Sequence, residues 1–447
     1  MKNILEKFDN KVIDPIITLK FIEETLELTI KKDIDSKLVT FLAMISAYTK
    51  ESSYNVTFLA PSSTGKSYIP MQISTLFPKE DVLKYAYSSP TAFFHQAGVV
   101  DRLKKITTID LSNKIIIFQD LPHTQLFERL RPMLSHDEKI LKVQITDKNQ
   151  SGGNSTKTIE LIGYPAVVFC SANTHINEQE STRFILLSPE LNQEKIKQGI
   201  EMKITREADP DKFSFDLNHD TKRIELVKRI KQIKNACVNE IRIKSEDAKY
   251  IDAEYTNMRH ELKPRHQRDI ARLLSIIKSI ALINYMHRER VDNDIFANRD
   301  DIDNAISLWN EIAMSQELNL PPFIYDIYWD VIVPCYLEKN AITSNKVGIS
   351  RSDITKSHYK FKKTTLDSLS LRQQILPVLR DTGLILEEVD EKDARIKLIT
   401  PTMLNKDEIY SHNDAEKEVV NGSDSTKNIL VESGANEKYV ETLFGVE

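Results

Sequence analysis

The sequence predicts an α/β fold built around a parallel sheet, and three observations support this. Apolar runs typical of buried strands cover residues 56–60, 82–87, 114–119 and 165–171. Segments with helical periodicity lie between these runs, and strands that alternate with helices usually form a parallel sheet. The first strand also leads into a short polar loop that a helix-patterned segment follows at about 67–76.

The loop after the first strand has the composition of a phosphate-binding loop. It comprises Ala60, Pro61, Ser62, Ser63, Thr64, Gly65, Lys66 and Ser67. In such loops backbone N–H groups face a phosphate, the lysine reaches the β- and γ-phosphates, and the serine hydroxyl binds Mg²⁺. Ala60 occupies a position where glycine is usual, but this position shapes the turn and does not touch phosphate. The alternative is a chance Gly-Lys-Ser in a surface loop.

A second nucleotide-binding signal ends the strand at 114–119. Four apolar residues, 115–118, precede Gln119 and Asp120. Phosphoryl transfer needs a carboxylate that holds Mg²⁺ and a group that orients the attacking water. Two registers are open: either Gln119 takes the metal position and Asp120 activates the water, or Asp120 is the metal ligand and Leu121 stands where a glutamate is expected. Asp120 is the main acid in both, and a helix N-cap is its structural alternative.

A third signal follows the strand at 165–171, which ends in Ser171, Ala172 and Asn173. The Asn173 amide could hydrogen-bond the attacking water or the γ-phosphate. Ten residues later, the Arg183 guanidinium could reach the γ-phosphate of a neighbouring subunit and stabilise transition-state charge. Taken alone, Asn173 would be read as a turn residue and Arg183 as a surface cation.

With these motifs in this order, the chain resembles the AAA+ ATPases of the minichromosome maintenance (MCM) branch, and most closely the MCM-like replicative helicases of mobile genetic elements. The resemblance covers about 35–400 and rests on 60–67 (Walker A), 115–120 (Walker B), 171–173 (sensor 1) and 182–187 (arginine finger). A fifth stretch, 265–274, resembles the sensor 2 helix, with Arg268 in the arginine position. Its alternative is a solvated arginine on a basic helix.

The resemblance implies that ATP and Mg²⁺ bind between subunits. Lys66, Ser67, Asp120 and Asn173 would come from one subunit and Arg183 from its neighbour. Which subunit supplies Arg268 is open, although the resemblance favours the neighbour. The implied assembly is a homo-oligomeric ring, expected to be a hexamer, that moves single-stranded DNA through its pore in replication. Gln119 departs from the family pattern and leaves the rate of hydrolysis in question.

A β-hairpin is predicted between the second and third motifs. Residues 140–145 and 156–162 alternate as strands around a tip with two glycines. The resemblance implies a hairpin at this place whose tip faces the pore, with Lys148 and Lys157 gripping DNA phosphates. An ordinary surface hairpin with solvated lysines is the alternative.

The predicted architecture is an AAA+ P-loop NTPase core with a helical lid and a C-terminal winged helix. The predicted segments are an N-terminal helical segment (1–34), the ATPase core (35–220), the lid (221–320), the winged helix (321–402) and an acidic, disordered tail (403–447). Residues 221–318 are predicted to be helix-patterned throughout. In the winged helix, 376–383 is predicted as a short helix closed by Gly383, and 384–389 and 395–399 as a hairpin.

The winged helix carries lysines suited to DNA, but its hairpin turn at 390–393 is acidic, so DNA contact and protein contact are both open.

Composition excludes several other classes. The chain has 447 residues, 40% of them hydrophobic, and a net charge of −5, which argues against a wholly basic nucleic-acid coat. Its three dispersed cysteines argue against a disulfide framework or a zinc site. No apolar run suggests a membrane span or a signal peptide, so a cytoplasmic location is expected. Two alternatives to a helicase are an AAA+ initiator or loader and, because of Gln119, an ATP-gated DNA-binding scaffold without turnover.

Overall fold

The computed structural model describes most of the chain between residues 14 and 406. The described residues are 14–86, 92–95, 98–101, 106–120, 124–147, 155–172, 182–257, 259, 261–341, 347–391 and 393–406. Several predicted features lie outside them, namely Asn173, Lys148, Leu121 and the tail from residue 407 onward.

Fifteen strands lie within these described ranges and are numbered in chain order. β1 to β15 are Val56–Leu59, Val82–Tyr85, Val99–Asp101, Ile106–Asp110, Ile115–Phe118, Ile140–Asp147, Ser155–Ile162, Ala166–Ser171, Ile185–Leu187, Ile241–Arg242, Arg290–Val291, Asp294–Phe296, Ile349–Ser350, Ile385–Val389 and Lys397–Pro401.

The described helices of six or more residues contribute to every layer of the fold. They are Leu19–Glu27, Ile34–Ser46, Tyr68–Ile73, Thr124–Leu134, Gln193–Ala208, Pro210–His219, Thr221–Ala236, Ser245–Asn257, His266–Ile283, Arg299–Glu317, Pro322–Ile327, Val333–Asn340, Arg351–Lys362 and Leu376–Asp381.

The central sheet confirms the predicted α/β class. Five strands pair in the order β2-β5-β8-β1-β9, and every pair is parallel. All residues of β1, β5, β8 and β9 are buried, as expected for a sheet with both faces covered. β9 was not predicted as a strand, because three residues are too few to give a periodic pattern.

Alternate residues of the central strands pack into two different cores. Ile115 and Ile117 of β5 face the Ile34–Ser46, Tyr68–Ile73 and His266–Ile283 helices. Ile116 and Phe118 face the Thr124–Leu134 helix and a second sheet. Phe118 stacks on Phe169 of β8 with ring centroids 5.0 Å apart. The sheet is therefore fixed in place from both sides.

The predicted hairpin is confirmed, and it belongs to a larger sheet. β6 and β7 pair antiparallel from Ile140 opposite Ile162 to Asp147 opposite Ser155. The full order is β3-β4-β7-β6, with β4 parallel to β7. β4 was missed because a threonine, Thr107, shares its buried face with Ile109, so the strand lacks an apolar alternation.

Residues 221–318 are mainly helical, but the prediction that they are helix-patterned throughout is wrong. β10, β11 and β12 form a small sheet in the order β10-β12-β11. Its strands have only two or three residues, too few for a sequence signal. The largest buried core runs from Ile17 to Ala313 and joins these helices to the N-terminal helices and one face of the central sheet. The predicted segment boundaries at 34 and 220 therefore divide the sequence but not this core.

A second core contains residues from Leu320 to Met403. Here helical turns run through 322–340, 351–362 and 368–381, and β13, β15 and β14 form an antiparallel sheet in that order. The predicted hairpin is present as β14 and β15, and Gly383, at φ +75°, follows the last helix as expected. β13 is a third strand that was not predicted.

Among the helices of the described ranges, none combines the length and the apolar character that a membrane crossing requires.

A substitution at Gly163 can test how closely the backbone packs at the junction between the two sheets. Gly163 follows β7 at φ +90°, and an added Cβ would lie 2.4 Å from Ser112 Oγ and 2.8 Å from Ser112 N. Gly163→Ala should lower the free energy of unfolding by at least about 2 kcal/mol, through the left-handed φ and the clash. Denaturant unfolding followed by far-UV circular dichroism measures this.

The matched control is Gly199→Ala, in the middle of the Gln193–Ala208 helix. Its φ is not in the left-handed region and an added Cβ meets nothing within 4 Å. This variant should be as stable as the parent or gain up to about 1 kcal/mol from helix propensity. Equal losses in both variants would contradict the argument.

Candidate functional site

The loop after β1 has the backbone that its sequence predicts. Ala60 is fully buried and its N–H donates to Ser171 O at 3.3 Å, which ties the start of the loop to the end of β8. Gly65 has φ +96° and space around its Cα, so the glycine is required by conformation. The Gly65 carbonyl accepts from Tyr68 N at 3.0 Å and Ile69 N at 3.1 Å, which starts the following helix.

Two polar side chains of the loop, those of Lys66 and Ser67, contact backbone carbonyls. Lys66 Nζ lies 3.4 Å from Pro61 O, so its ammonium curls over the loop. The Ser67 hydroxyl donates to Gln119 O at 3.4 Å. Ser67, at the start of the helix, is therefore in contact with the residue that ends β5. The topology brings the first two motifs together even though 52 residues separate Ser67 from Gln119.

Cys170 lies beneath this site and reports on its electrostatics. The thiol is buried on β8 and donates to Lys66 O at 3.5 Å. Burial raises the pKa of Cys170 to about 12, and the Asp120 carboxylate acts in the same direction. A hydrogen bond with Ser67 and the charge of Lys66 oppose the rise. Lys66, Ser67 and Asp120 are thus close enough to act on one buried thiol, as the predicted site requires.

The structure shows where the two polar residues of the second motif lie. β5 ends at Phe118, so the four apolar residues are 115–118. Gln119 N still donates to Tyr85 O at 2.9 Å, and Gln119 Nε2 lies 3.7 Å from Met71 Sδ on the helix after the loop. The Gln119 side chain therefore turns toward the Tyr68–Ile73 helix that follows the loop, while Asp120 is exposed beyond the strand end. This geometry favours Gln119 at the metal position and Asp120 at the water position.

A buried ion pair that sequence reasoning missed supports the loop from outside. Lys195 Nζ lies 2.5 Å from Asp33 Oδ2 and 3.4 Å from Thr64 O in the loop. Burial raises the pKa of Asp33, and the charge of Lys195 opposes this. Asp33 Oδ1 also accepts from Glu190 N at 2.6 Å. No local motif joins residues 33, 64 and 195, so only the fold could have identified them.

Arg183 lies at the amino ends of the central strands (the amino edge of the sheet), whereas the loop lies at their carboxyl ends (the carboxyl edge). It precedes β9, whose first residue Ile185 pairs with Val56, the first residue of β1. The loop follows the other end of β1, so on the order of 13 Å of strand separates the two edges. Arg183 Nε donates to Ser135 Oγ at 2.7 Å. The arginine therefore cannot serve the loop of its own chain in this conformation.

Arg268 lies at the same edge as Arg183. Its guanidinium donates to the Thr182 hydroxyl, and that of Arg272 donates to Thr182 O. Both arginines lie in the first two turns of the His266–Ile283 helix and, with Arg183, line a cavity of about 150 Å³. Residues 53–55, which lead into β1, line the same cavity. The structure thus brings together the two arginines that the sequence predicted separately.

Arg272 is a further cation at this edge that sequence reasoning did not single out. It is buried and its Nη1 lies 2.6 Å from Asp269 Oδ1, while Arg265 Nε lies 3.0 Å from Asp269 Oδ2. Burial lowers the pKa of Arg272 to about 10, and the Asp269 charge opposes this. This network fixes the start of the helix and so orients Arg268. The spacing of four residues, which places Arg272 on the same helix face as Arg268, could have identified it from the sequence.

The predicted DNA contacts are only partly described. Lys148 lies outside the described residues. Lys157 is half-buried on β7, opposite Ile145 and on the same face as buried Ile159. It lies two residues after Ser155, the first described residue after the tip. Its role in DNA binding stays a prediction.

The residues present are compatible with Mg²⁺ bound together with a nucleotide. Within the described ranges, no group of three or more His, Cys, Asp or Glu side chains could hold a metal ion. Magnesium in nucleotide sites is held by few protein ligands plus phosphates and water. The Ser67 hydroxyl and the adjacent end of β5 supply such a partial ligand set, so ATP would have to bring the ion.

A scan against protein-family models gives no match, and a search of curated proteins finds no significant relative. The geometry of the chain itself therefore has to carry any functional assignment.

Proposed function

We propose that the chain is an AAA+ ATPase of the MCM-like helicase type, which hydrolyses ATP between the subunits of a ring and moves single-stranded DNA. The observation that carries the proposal is the division of the predicted residues between two edges of one parallel sheet. The loop with Lys66 and Ser67 is at the carboxyl edge, and Arg183 and Arg268 are at the amino edge.

This division favours a site completed by a second copy of the chain. The arginines of one copy can approach the loop of the next copy when subunits pack head to tail, and repetition of that contact closes a ring. The cavity that Arg268 shares with Arg183 supports the neighbour as the subunit that supplies Arg268. A hexamer remains the expected ring size, and the cytosol is the proposed location.

Each residue would have a defined part in the reaction. Lys66 and the backbone N–H groups of the loop would hold the phosphates, and Ser67 would bind Mg²⁺. Asp120 would orient and deprotonate the attacking water, assisted by Asn173. Arg183 and Arg268 of the neighbour would neutralise the charge that develops on the transferred phosphoryl group. Bound Mg²⁺ supplies neutralisation of the β- and γ-phosphate oxygens.

The shared site can be tested by mixing inactive variants. Lys66→Ala and Arg183→Ala should each lower ATP turnover about a thousandfold. A mixture of equal amounts should regain activity, because about a quarter of randomly formed head-to-tail interfaces then contain both intact residues. Steady-state phosphate release measures this, and Arg268→Ala should behave like Arg183→Ala.

The matched control is Arg395→Ala, since this arginine lies in the turn between β14 and β15 and its side chain is 90% exposed. It should leave turnover unchanged. If two folded, inactive variants fail to restore each other, the proposal of a site shared between copies is wrong.

Gln119 provides a second test. An amide at the metal position cannot supply the charge of a carboxylate, so Mg²⁺ should bind weakly. Gln119→Asp should lower the Mg²⁺ concentration that gives half-maximal turnover about tenfold. A factor of about ten in affinity corresponds to one added charge-assisted contact with the ion. A magnesium titration at saturating ATP measures this. A variant that binds ATP with unchanged magnesium dependence would contradict the register, and a wild-type protein that binds ATP without any turnover would favour the scaffold alternative.

The proposed DNA motor predicts that single-stranded DNA stimulates turnover and that salt weakens the stimulation. Lys148→Ala and Lys157→Ala should each reduce the slope of log binding constant against log salt by about 0.7. Lys142→Ala is the matched control, because this lysine lies on the same hairpin and pairs with Glu160 at 3.2 Å. Equal effects of all three variants would count against a grip at the tip. Stimulated turnover without strand displacement would favour the initiator or loader alternative.

A further inference from the structure

The Gln193–Ala208 helix presents an apolar stripe to solvent. Ile196, Ile200 and Ile204 recur every four residues and are 47%, 53% and 64% exposed. None of the sixteen residues of this helix is buried, and its less exposed face is formed by Lys195, Gln198, Gly199 and Met202. The stripe is about 12 Å long. A row of exposed isoleucines on one helix face usually marks a surface that another surface covers.

The stripe begins beside the phosphate-binding loop. Lys195, one residue before Ile196, lies 3.4 Å from Thr64 O and 2.5 Å from Asp33 Oδ2. The helix therefore stands at the carboxyl edge of the sheet, where the proposed site needs the neighbouring copy. A neighbouring copy that brings its arginines to this loop would therefore lie close to the isoleucines.

An apolar groove lies beside the arginines at the other edge. It has a volume of about 680 Å³ between the Ser245–Asn257 and His266–Ile283 helices, and its apolar lining includes Ile251, Leu262, Ile270 and Leu274. Leu262 on its rim is 58% exposed. Gln267 lines this groove while Arg268, the next residue, lines the arginine cavity. The groove and the arginines thus occupy adjacent faces of one helix.

We propose that the Ile196–Ile200–Ile204 stripe of one copy docks into this groove of the next copy. The contact rests on the proposed shared ATP site and extends it, since it assigns the surface that holds the two halves together. A helix with an apolar face fitting an apolar groove is a common mode of recognition. The occupant is a second copy of this chain, because stripe and groove each adjoin the part of the proposed site that the other copy must complete.

Both surfaces carry charges of both signs at their margins. Lys197, Glu201 and Lys203 flank the stripe, and Asp252 and Lys263 line the groove. The contact is heterologous, with different surfaces on the two copies, so its repetition gives a ring when the rotation closes and an open filament when it does not, but never a two-fold dimer. Burial of the isoleucines against Leu262 would also seat Arg268 within reach of the partner's loop.

Disulfide trapping tests the contact directly. In a Cys237→Ser background, which removes the exposed native thiol and leaves the buried Cys170 and Cys335, the full-length protein carries both Ile200→Cys and Leu262→Cys. Mild oxidation should give a ladder of covalent multimers on non-reducing gels. A mixture of the two single variants should give covalent dimers only, containing one chain of each kind.

The matched control pairs Ile200→Cys with Leu386→Cys, since Leu386 is similarly exposed, at 55%, on β14. This pair should give no ladder. An equal ladder in the control, a disulfide within a single chain, or no cross-link at all would each overturn the proposal.

A charge substitution gives a second measurement. Ile200→Glu should raise the protein concentration for half-maximal ATP turnover about tenfold or more, because a central apolar contact is lost. Leu386→Glu should not change it. Since Ile200 is already half-exposed, the variant should fold normally, and circular dichroism checks this.

The outcomes separate this proposal from the proposed function. If Lys66→Ala and Arg183→Ala restore each other but Ile200→Glu assembles and turns over ATP like wild type, the shared site stands and the docking proposal fails. If the ladder forms but the wild-type protein has no turnover, the docking contact stands and the ATPase proposal fails.

Discussion

The parallel direction of the five central strands is the constraint on which the rest of the molecule depends. Because every strand runs the same way, all carboxyl ends meet at one edge and all amino ends at the other. The loop with Lys66 and the ends of β5 and β8 are therefore neighbours, although they are far apart in the sequence. By the same constraint, Arg183 at the start of β9 is held at the opposite edge. The loop and the arginines of one chain are therefore held apart, which is the physical basis for the proposal of a site shared between copies.

Burial makes this sheet rigid enough to position both edges. One face packs against a core that runs from Ile17 to Ala313, and the other against the aromatic cluster around Phe118 and Phe169. The same packing sets the electrostatics of the candidate site. Cys170 is held as a neutral thiol beneath the loop, since burial raises its pKa to about 12. The buried Asp33–Lys195 pair touches the loop from the other side, so the N-terminal segment contributes to the site although it contains none of the motifs.

The polar networks at the two edges differ in which side chains could contact a ligand. At the carboxyl edge, the Lys66 ammonium and the Ser67 hydroxyl contact backbone carbonyls that bound phosphate and metal could replace. At the amino edge, Arg272 is committed to Asp269 and Thr182 inside the protein, while Arg268 lies further out on the same helix. Buried charges are usually paired and structural, and exposed ones adjoining a cavity are better placed to meet a ligand. This distinction makes Arg272 a structural residue and is consistent with the proposal that Arg268 contacts a neighbouring copy.

The sequence by itself determined the elements that have a strong local signal. The loop at 60–67, the strands β1, β5 and β8, the β6–β7 hairpin and the helix ended by Gly383 could be predicted, because apolar periodicity and glycine conformations are properties of short segments. Only the tertiary structure decided what depends on partners distant in the chain. It revealed β4 and β9, which gain their stability from neighbouring strands, the side toward which Gln119 turns, the Asp33–Lys195 pair, and the separation of the arginines from the loop. Short strands and buried ion pairs leave no periodic trace, since the residues that stabilise them are contributed by other parts of the fold.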